Sequence, residues 1–140
     1  QQVSSAASDV YKRQAHHPEE IKVTIVATKQ LFPEKKITVV FQPHLYSRTR
    51  DFAAEFGDSL SLADEVLLLD IYPAREIPIQ GVNSEMLLTK VANCEKSLLK
   101  KAELIEELTN PKRELLLTLG AGDIDQFVEP LKKYYLNEMD

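Results

Sequence analysis

The chain has 140 residues, of which 44% are hydrophobic and 28% charged, and its formal net charge is -5. This length and balance predict one globular domain with an ordinary core and exclude a disordered tail. The negative charge argues against a generic binder of nucleic acid or anionic membranes, which would normally be basic, so any anion site must be local.

The single cysteine, Cys94, excludes an intrachain disulfide and a zinc site built from cysteines. No stretch is apolar and long enough to span a bilayer, and the first residues lack the basic-then-apolar order of a signal peptide. We therefore expect a soluble cytoplasmic protein with neither a membrane nor a nucleic-acid partner.

Residues 1–14 are small and polar and show no clear period. We expect them to form a poorly ordered or foreign leader, followed by one domain over residues 15–140. A helix should begin at Pro18-Glu19-Glu20, because proline suits the first turn and the two carboxylates suit the helix dipole.

Beyond that helix, apolar strands alternate with helical patterns. The predicted order is strand 37–41, a helix with the stripe Phe52, Phe56 and Leu60, strand 65–70, a short helix capped by Asn83, a weak strand 97–99, helix 102–108, strand 114–119 and a last helix from about residue 124. Pro130 should disturb or split the last helix. This alternation predicts an α/β fold with a single doubly wound, mainly parallel sheet and flanking helices.

Three polar loops leave the carboxyl ends of predicted strands, where ligands bind in sheets of this kind. They are residues 44–50, 72–76 and 120–123. Because the planar arginine fork suits a carboxylate or a phosphate, Arg48, Arg50 and Arg75 are candidate anion holders. The plain alternative for the first loop is solvated charge at a helix start.

The segment Gly120-Ala121-Gly122 would let the backbone approach a ligand closely at a helix N-terminus. It is not a Walker A loop, because no Gly-Lys-Ser/Thr follows, and it lacks the third glycine of the dinucleotide fingerprint. A tight strand-to-helix turn is the favoured alternative, and Asp123 is more often an N-cap than a metal ligand.

The adjacent His16 and His17 invite a metal interpretation, but neighbouring histidines at a helix start point in different directions and no carboxylate-histidine pattern completes a site. Helix capping or ligand contact is favoured for this pair. No Ser-His-Asp or Cys-His arrangement supports hydrolytic nucleophilic catalysis.

Four segments resemble, in order and spacing, the Rossmann-like C-terminal domain of the Mur ligase family of bacterial peptidoglycan synthesis. They are AHHPEE at residues 15–20, FQPHLYSRTRD at 41–51, LDIYPARE at 69–76 and GAGDI at 120–124. The resemblance covers about residues 15–135. The Phe-Gln-Pro-His turn and the Tyr-Pro-Ala loop are specific for the members that join L-alanine to UDP-N-acetylmuramate.

The resemblance implies an ATP-dependent ligase of three domains. An N-terminal domain would hold the UDP sugar, a central domain ATP and magnesium, and this domain would position the amino acid. The muramate carboxylate would be activated as an acyl phosphate, which the amine of L-alanine attacks. The chain resembles the third part only and contains no P-loop. We therefore expect the missing domains to bind most of the ATP and Mg²⁺, and this fragment alone to be inactive.

By motif, the resemblance implies that Arg48 binds the incoming amino-acid or acyl group, with His44 beside it in the same pocket. A guanidinium in a constant position can hold the carboxylate of L-alanine while the amine is aimed at the acyl phosphate. Arg50 is then a helix-start or interdomain charge, and His16 and His17 resemble a pair at the entry to the domain. Candidates for nucleotide or interdomain contacts are Tyr72, Arg75, Gly120, Gly122 and Asp123.

Two segments depart from the family pattern. The family has Asp-Tyr before the His-His-Pro segment where this chain has Arg13-Gln14, which suggests that residues 1–14 replaced the authentic sequence. Some members carry arginine where Leu45 stands, so the anion clamp should be smaller here. Two other interpretations stay open: a free-standing, non-catalytic α/β module that binds a phosphate or carboxylate through the same arginines, and a structural remnant without a ligand.

Overall fold

A computed structural model of the chain describes residues 9–13, as backbone, and residues 17–109, 112–120 and 123–137. Within these ranges one parallel sheet has the strand order β1-β5-β2-β3-β4. The strands are β1 Asp9–Arg13, β2 Ile37–Gln42, β3 Glu65–Leu68, β4 Glu95–Leu98 and β5 Leu115–Gly120. The two central strands, β2 and β5, are buried along their whole length, as expected for apolar runs covered on both faces.

The α-helices in the described ranges are α1 Pro18–Leu31, α2 Tyr46–Asp51, α3 Ala53–Leu60, α4 Ser84–Leu88, α5 Leu104–Thr109 and α6 Val128–Asn137. Two 3₁₀ helices, Lys101–Glu103 and Asp123–Phe127, lead into α5 and α6. None of the helices in the described part of the chain is long and apolar enough to cross a membrane.

The sheet carries helices on both faces. Ile21 of α1 and Leu87 of α4 belong to one core cluster with Val39, whereas Leu104 of α5 belongs to the other with Val40. Neighbouring residues of β2 therefore face opposite cores, with α1, α3 and α4 on one side and α5 and α6 on the other. The predicted doubly wound parallel fold is confirmed.

Local signals explain two helix starts. The backbone N–H of His17 donates to Glu20 Oε1 at 2.9 Å, which satisfies one donor ahead of α1. Asn83 Oδ1 accepts from the N–H of Met86 at 2.8 Å, which confirms Asn83 as the predicted N-cap of α4.

The last helical segment has two parts, because its backbone changes from 3₁₀ to α geometry between Phe127 and Val128. Pro130 lies just after this division, in the first turn of α6. Proline is tolerated there because that turn has no internal acceptor for its missing N–H. The segment is divided, but before Val128 and not at Pro130, which the first turn of α6 accommodates.

Strand β1 differs from the poorly ordered leader expected at these positions. Asp9–Arg13 pairs in parallel with β5, from Asp9 opposite Leu115 to Arg13 opposite Leu119. The sequence shows only Val10 and Tyr11 as strand-favouring residues in a polar context, which is too short a run to predict a strand. The foreign origin of residues 1–14 and the domain boundary after them stay predictions.

Candidate functional site at the carboxyl edge of the sheet

The carboxyl ends of β2 and β5 lie side by side, with Gln42 opposite Gly120. From there the chain leaves β2 toward α2 and α3 on one face, and leaves β5 toward α6 on the other. Neighbouring strands whose connections leave in opposite directions form a topological switch point, where open α/β sheets bind their ligands. The candidate site is therefore the edge at which the three predicted loops meet.

Gln42 and Asp123 bridge this switch point. Gln42 Nε2 donates to Asp123 Oδ1 at 2.8 Å, and the N–H of Ile124 donates to Gln42 Oε1 at 3.0 Å. Lys101, at the start of the 3₁₀ helix before α5, pairs with Asp123 Oδ2. Burial alone would raise the pKa of Asp123, but hydrogen bonds from Lys101 and Gln42 together hold that pKa below its ordinary value.

Asp123 therefore has a structural role, because its carboxylate links β2 and the Lys101 segment to the 3₁₀ helix before α6. Among the described residues, no group of three or more His, Cys, Asp or Glu side chains could hold a metal ion. Sequence reasoning named Asp123 but missed Gln42 and Lys101. A polar residue that ends a buried strand was the available signal for Gln42.

Gly120 is required by its conformation and by the closeness of β2. Its φ is +124°, and a Cβ there would lie 2.4 Å from the carbonyl oxygen of Gln42. Both observations support the tight-turn interpretation for this glycine. The companion candidate Gly122 lies outside the described residues, as does His16.

The loop after β2 is joined to the loop after β3. His44 and Tyr72 form a parallel β-bridge, flanked by hydrogen bonds from Tyr72 N–H to the Pro43 carbonyl at 2.8 Å and from Leu45 N–H to the Tyr72 carbonyl at 2.9 Å. The rings of His44 and Tyr72 stack with centroids 5.9 Å apart and an interplanar angle of 15°. The structure thus brings two of the predicted site residues into contact.

Arg48 and Arg50, in the segment FQPHLYSRTRD, lie on the short helix α2 and not in a turn as predicted. The half-buried Arg48 makes no side-chain hydrogen bond or ion pair with any described residue, whereas Arg50 pairs with Asp51 at 2.9 Å. Arg75 is exposed on the neighbouring loop. Arg48 is therefore the guanidinium of α2 that a ligand could engage without breaking an internal pair.

Glu76 is a part of this edge that sequence reasoning missed. Its Oε1 accepts from the N–H of Ser47 at 3.1 Å, and its Oε2 accepts from the Ser47 hydroxyl. These two bonds hold the pKa of Glu76 below its ordinary value. The loop that carries Tyr72 is in this way attached to the first turn of α2.

His17 lies beside the end of α2. Its ring meets that of Phe52, the residue between α2 and α3, edge to face, with centroids 6.0 Å apart and an interplanar angle of 86°. The hydroxyl of Ser59 on α3 donates to the Pro18 carbonyl at 2.8 Å. The start of α1 is therefore packed against the helices that follow the arginine motif, and His17 belongs to the same side of the domain.

An open cavity of about 430 Å³ lies at the opposite, amino-terminal edge of the sheet. Part of its charged lining is paired internally: Arg113 Nε donates to Glu65 Oε1 at 3.1 Å, and the backbone N–H of Lys36 donates to Glu114 Oε1 at 3.3 Å. We assign no ligand to it, because parallel α/β sheets bind ligands at the carboxyl edge.

The fold and the carboxyl edge define a doubly wound α/β domain with an arginine-bearing helix at its switch point. The sequence model of the Mur ligase, glutamate ligase domain, matches residues 1–124. The chain therefore belongs to the Mur ligase family.

Two ligases from other bacteria are similar to this chain in sequence. The chain is 53% identical over 119 residues to the UDP-N-acetylmuramate--L-alanine ligase of Parabacteroides distasonis, covering 85% of this chain and 26% of that protein. It is 56% identical over 115 residues to the enzyme of the same name from Phocaeicola vulgatus, covering 81% of this chain and 25% of that protein. The chain thus spans about a quarter of the length of these relatives.

Solved structures give the same fold. The crystal structure of a UDP-N-acetylmuramate-alanine ligase from Thermotoga maritima matches with a TM-score of 0.68 and 25% identity, covering 92% of this chain and 27% of that one. A murein peptide ligase from Psychrobacter arcticus matches with a TM-score of 0.72 over 96% of this chain and 29% of that one. Its 16% identity supports the fold alone.

Proposed function

We propose that the chain is the C-terminal domain of an ATP-dependent ligase that joins L-alanine to UDP-N-acetylmuramate in bacterial peptidoglycan synthesis. The observation that carries this proposal is the similarity, at about half of all aligned positions, to enzymes of that name along a quarter of their length. The enzyme would act in the cytoplasm, with the rest of the protein supplied by the two domains that precede this one.

Arg48 is the residue we assign to the amino acid. Arg48 is half-buried on α2, the helix that follows β2 at the switch point, and it forms no ion pair within the described ranges, so it can offer paired donors to the carboxylate of L-alanine. Holding the carboxylate would aim the amine at the acyl phosphate and so lower the entropic cost of the attack. His44, stacked on Tyr72, would form the adjacent wall of this pocket.

The remaining candidates are assigned to the closing of the domain over the other two. His16 and His17 would lie at the entry to the domain. Contacts to the nucleotide or to the neighbouring domains are assigned to Tyr72, Arg75, Gly120, Gly122 and Asp123. Of these, Asp123 would act with Lys101, since the two already form an ion pair.

The described residues of this chain do not form a complete site for ATP and Mg²⁺. The sequence contains no Gly-Lys-Ser/Thr loop, and the described residues contain no cluster of three or more metal-ligating side chains. We assign ATP and its magnesium mainly to the preceding domains, which would supply the activated acyl group. The chain by itself is accordingly expected to show no ligase activity.

A chimera tests the proposal. Residues 15–140 would be joined to the N-terminal and central domains of the Parabacteroides distasonis ligase, and phosphate release measured with ATP, UDP-N-acetylmuramate and L-alanine. We expect release that depends on all three substrates. A folded chimera without alanine-dependent release would contradict the ligase proposal and favour a non-catalytic anion-binding module.

In this chimera Arg48→Ala should raise the KM for L-alanine or abolish turnover while the fold is kept. Losing hydrogen bonds to a charged group costs about 1.5–3 kcal/mol, which corresponds to a loss of roughly 10- to 150-fold in kcat/KM. Lys133→Ala, an exposed change on α6 across the sheet, is the control and should leave the kinetics unchanged. Unchanged kinetics in the Arg48 variant would refute the assignment.

The genomic reading frame upstream of codon 15 gives a second test. An in-frame Walker A loop and an Asp-Tyr pair before Ala15 would support the truncated-ligase interpretation. A stop codon or an unrelated start there would defeat it.

A further inference from the structure

Helix α2 begins without a cap of its own. The residue at its N-cap position is Leu45, whose side chain has no acceptor and whose φ is +72°. The first N–H groups of a helix have no partner inside the helix and need an acceptor from elsewhere. At six residues α2 is also too short to be stable alone. Some other part of the chain must hold its first turn.

The carboxylate of Glu76 supplies that acceptor from 29 residues away. One oxygen accepts from the Ser47 N–H at 3.1 Å and the other from the Ser47 hydroxyl. Both oxygens are therefore used on the residue directly before Arg48. A negative group at this end of the helix is also favoured by the helix dipole.

The loop that carries Glu76 is itself held to the end of β2. Tyr72 exchanges backbone hydrogen bonds with Pro43 and Leu45, and the Glu76 N–H donates to the Pro73 carbonyl at 2.9 Å. The carboxylate therefore reaches α2 from a turn that is already fastened beside the start of that helix. Besides the hydrogen bonds from Ser47, the positive charge of Arg50 also helps to lower the pKa of Glu76.

We propose that Glu76 is a positioning residue for Arg48. By capping α2, it holds the guanidinium at the switch point, where it can meet a carboxylate. The capping part stands on the contacts alone. The part that concerns the amino-acid carboxylate rests on the proposed function.

The capping part is tested by hydrogen exchange of backbone amides, followed by NMR in the whole 140-residue chain. Glu76→Ala should speed exchange at Ser47 and Thr49, whose N–H groups donate to Glu76 and to the Leu45 carbonyl, by roughly tenfold, as expected for a local opening, and leave Val40 in β2 unchanged. Glu76→Gln, which keeps one acceptor oxygen, should give an intermediate effect. Glu129→Ala, in the first turn of α6, is the matched control and should leave α2 unchanged.

Two exchange results would overturn the capping part. Unchanged exchange at Ser47 in the Glu76→Ala chain would show that the carboxylate does not hold the helix. An equal increase of the exchange rate at Ser47 and in β2 would show that the substitution destabilises the whole domain and that Glu76 does not act as a local cap.

The catalytic part is tested in the chimera with a double-mutant cycle. Glu76→Ala should raise the KM for L-alanine more than it lowers kcat, and it should add no further loss when Arg48 is already alanine. Equal losses in both backgrounds would refute positioning through Arg48. A folded but inactive chimera with the unaltered domain would overturn the proposed function and the amino-acid part of this inference, while the exchange result would still decide the capping part.

Discussion

The bridge between Gln42 and Asp123 gives the sharpest prediction about stability. Gln42→Met keeps an unbranched side chain of similar size but removes the amide that donates to Asp123 Oδ1 at 2.8 Å and accepts from Ile124 N–H at 3.0 Å. Gln42 is 2% exposed, so water cannot readily replace either bond. The substitution should therefore destabilise the domain although it adds an apolar group.

The expected size follows from the two bonds. A hydrogen bond to a charged group contributes about 1.5–3 kcal/mol, and a buried donor left unsatisfied costs about 1–3 kcal/mol. Asp123 keeps its ion pair with Lys101, and the methionine gains apolar burial, so part of the loss is offset. We expect the free energy of unfolding to fall by about 2–4 kcal/mol.

The assay is urea unfolding followed by far-UV circular dichroism, since the chain has no tryptophan. Gln30→Met on the exposed side of α1 is the matched control and should change the free energy of unfolding by no more than about 0.5 kcal/mol. Equal stability of the Gln42 and Gln30 variants would refute the reasoning.

A second variant at the same position adds a pH signature. Gln42→Glu places a second carboxyl beside Asp123, and the repulsion between them should raise the pKa of the introduced carboxyl above its unfolded value. Such a group does not destabilise the fold through its charge below its unfolded pKa; the loss of stability grows as pH rises from that value and is complete above its folded pKa. A stability deficit that does not change between pH 7 and pH 4 would contradict the geometry of this bridge.

Two further predictions concern the rest of the core. Gly57→Ala should lower the urea midpoint, because the added Cβ would lie 2.3 Å from the Lys90 carbonyl oxygen, and this clash with backbone outweighs the gain in helix propensity of about 1 kcal/mol; a higher midpoint would contradict it. Burial alone would raise the pKa of Glu65, but hydrogen bonds from Arg113 and Thr38 outweigh it and lower that pKa. The stability from this group is therefore present above its unfolded pKa and lost as pH falls through the folded pKa. Glu65→Gln should give a flatter acid limb of stability against pH, and an unchanged limb would count against the pairing.

The sequence was sufficient for the strands whose burial is complete. β2 and β5 are continuous apolar runs, and their order with the helices gave the doubly wound sheet. Helix α2 could not be found in this way, because in YSRTRD only Thr49 is buried and no apolar stripe marks the helix. Periodicity detects only the helices that bury a face.

The site divides along the same physical line. Sheet topology placed the three polar loops at one edge, and the structure joins two of them through His44 and Tyr72. The partners within the edge could not be read from the sequence, because they are distant in the chain: Gln42 and Asp123 are 81 positions apart, and Ser47 and Glu76 are 29. Only the folded chain selects such pairs among many polar residues.

At this edge, the charged side chains that have internal partners stabilise the fold, whereas Arg48 remains available for binding. The carboxylate of Asp123 forms an ion pair with Lys101 and accepts a hydrogen bond from Gln42, and the carboxylate of Glu76 accepts from Ser47. Arg48 alone among these side chains makes no hydrogen bond or ion pair with the described residues, so the fold gains no bond from its charge. A half-buried charge without an internal partner is best compensated by an anion from outside. Loss of Gln42 should therefore be felt first in unfolding, and loss of Arg48 first in substrate binding.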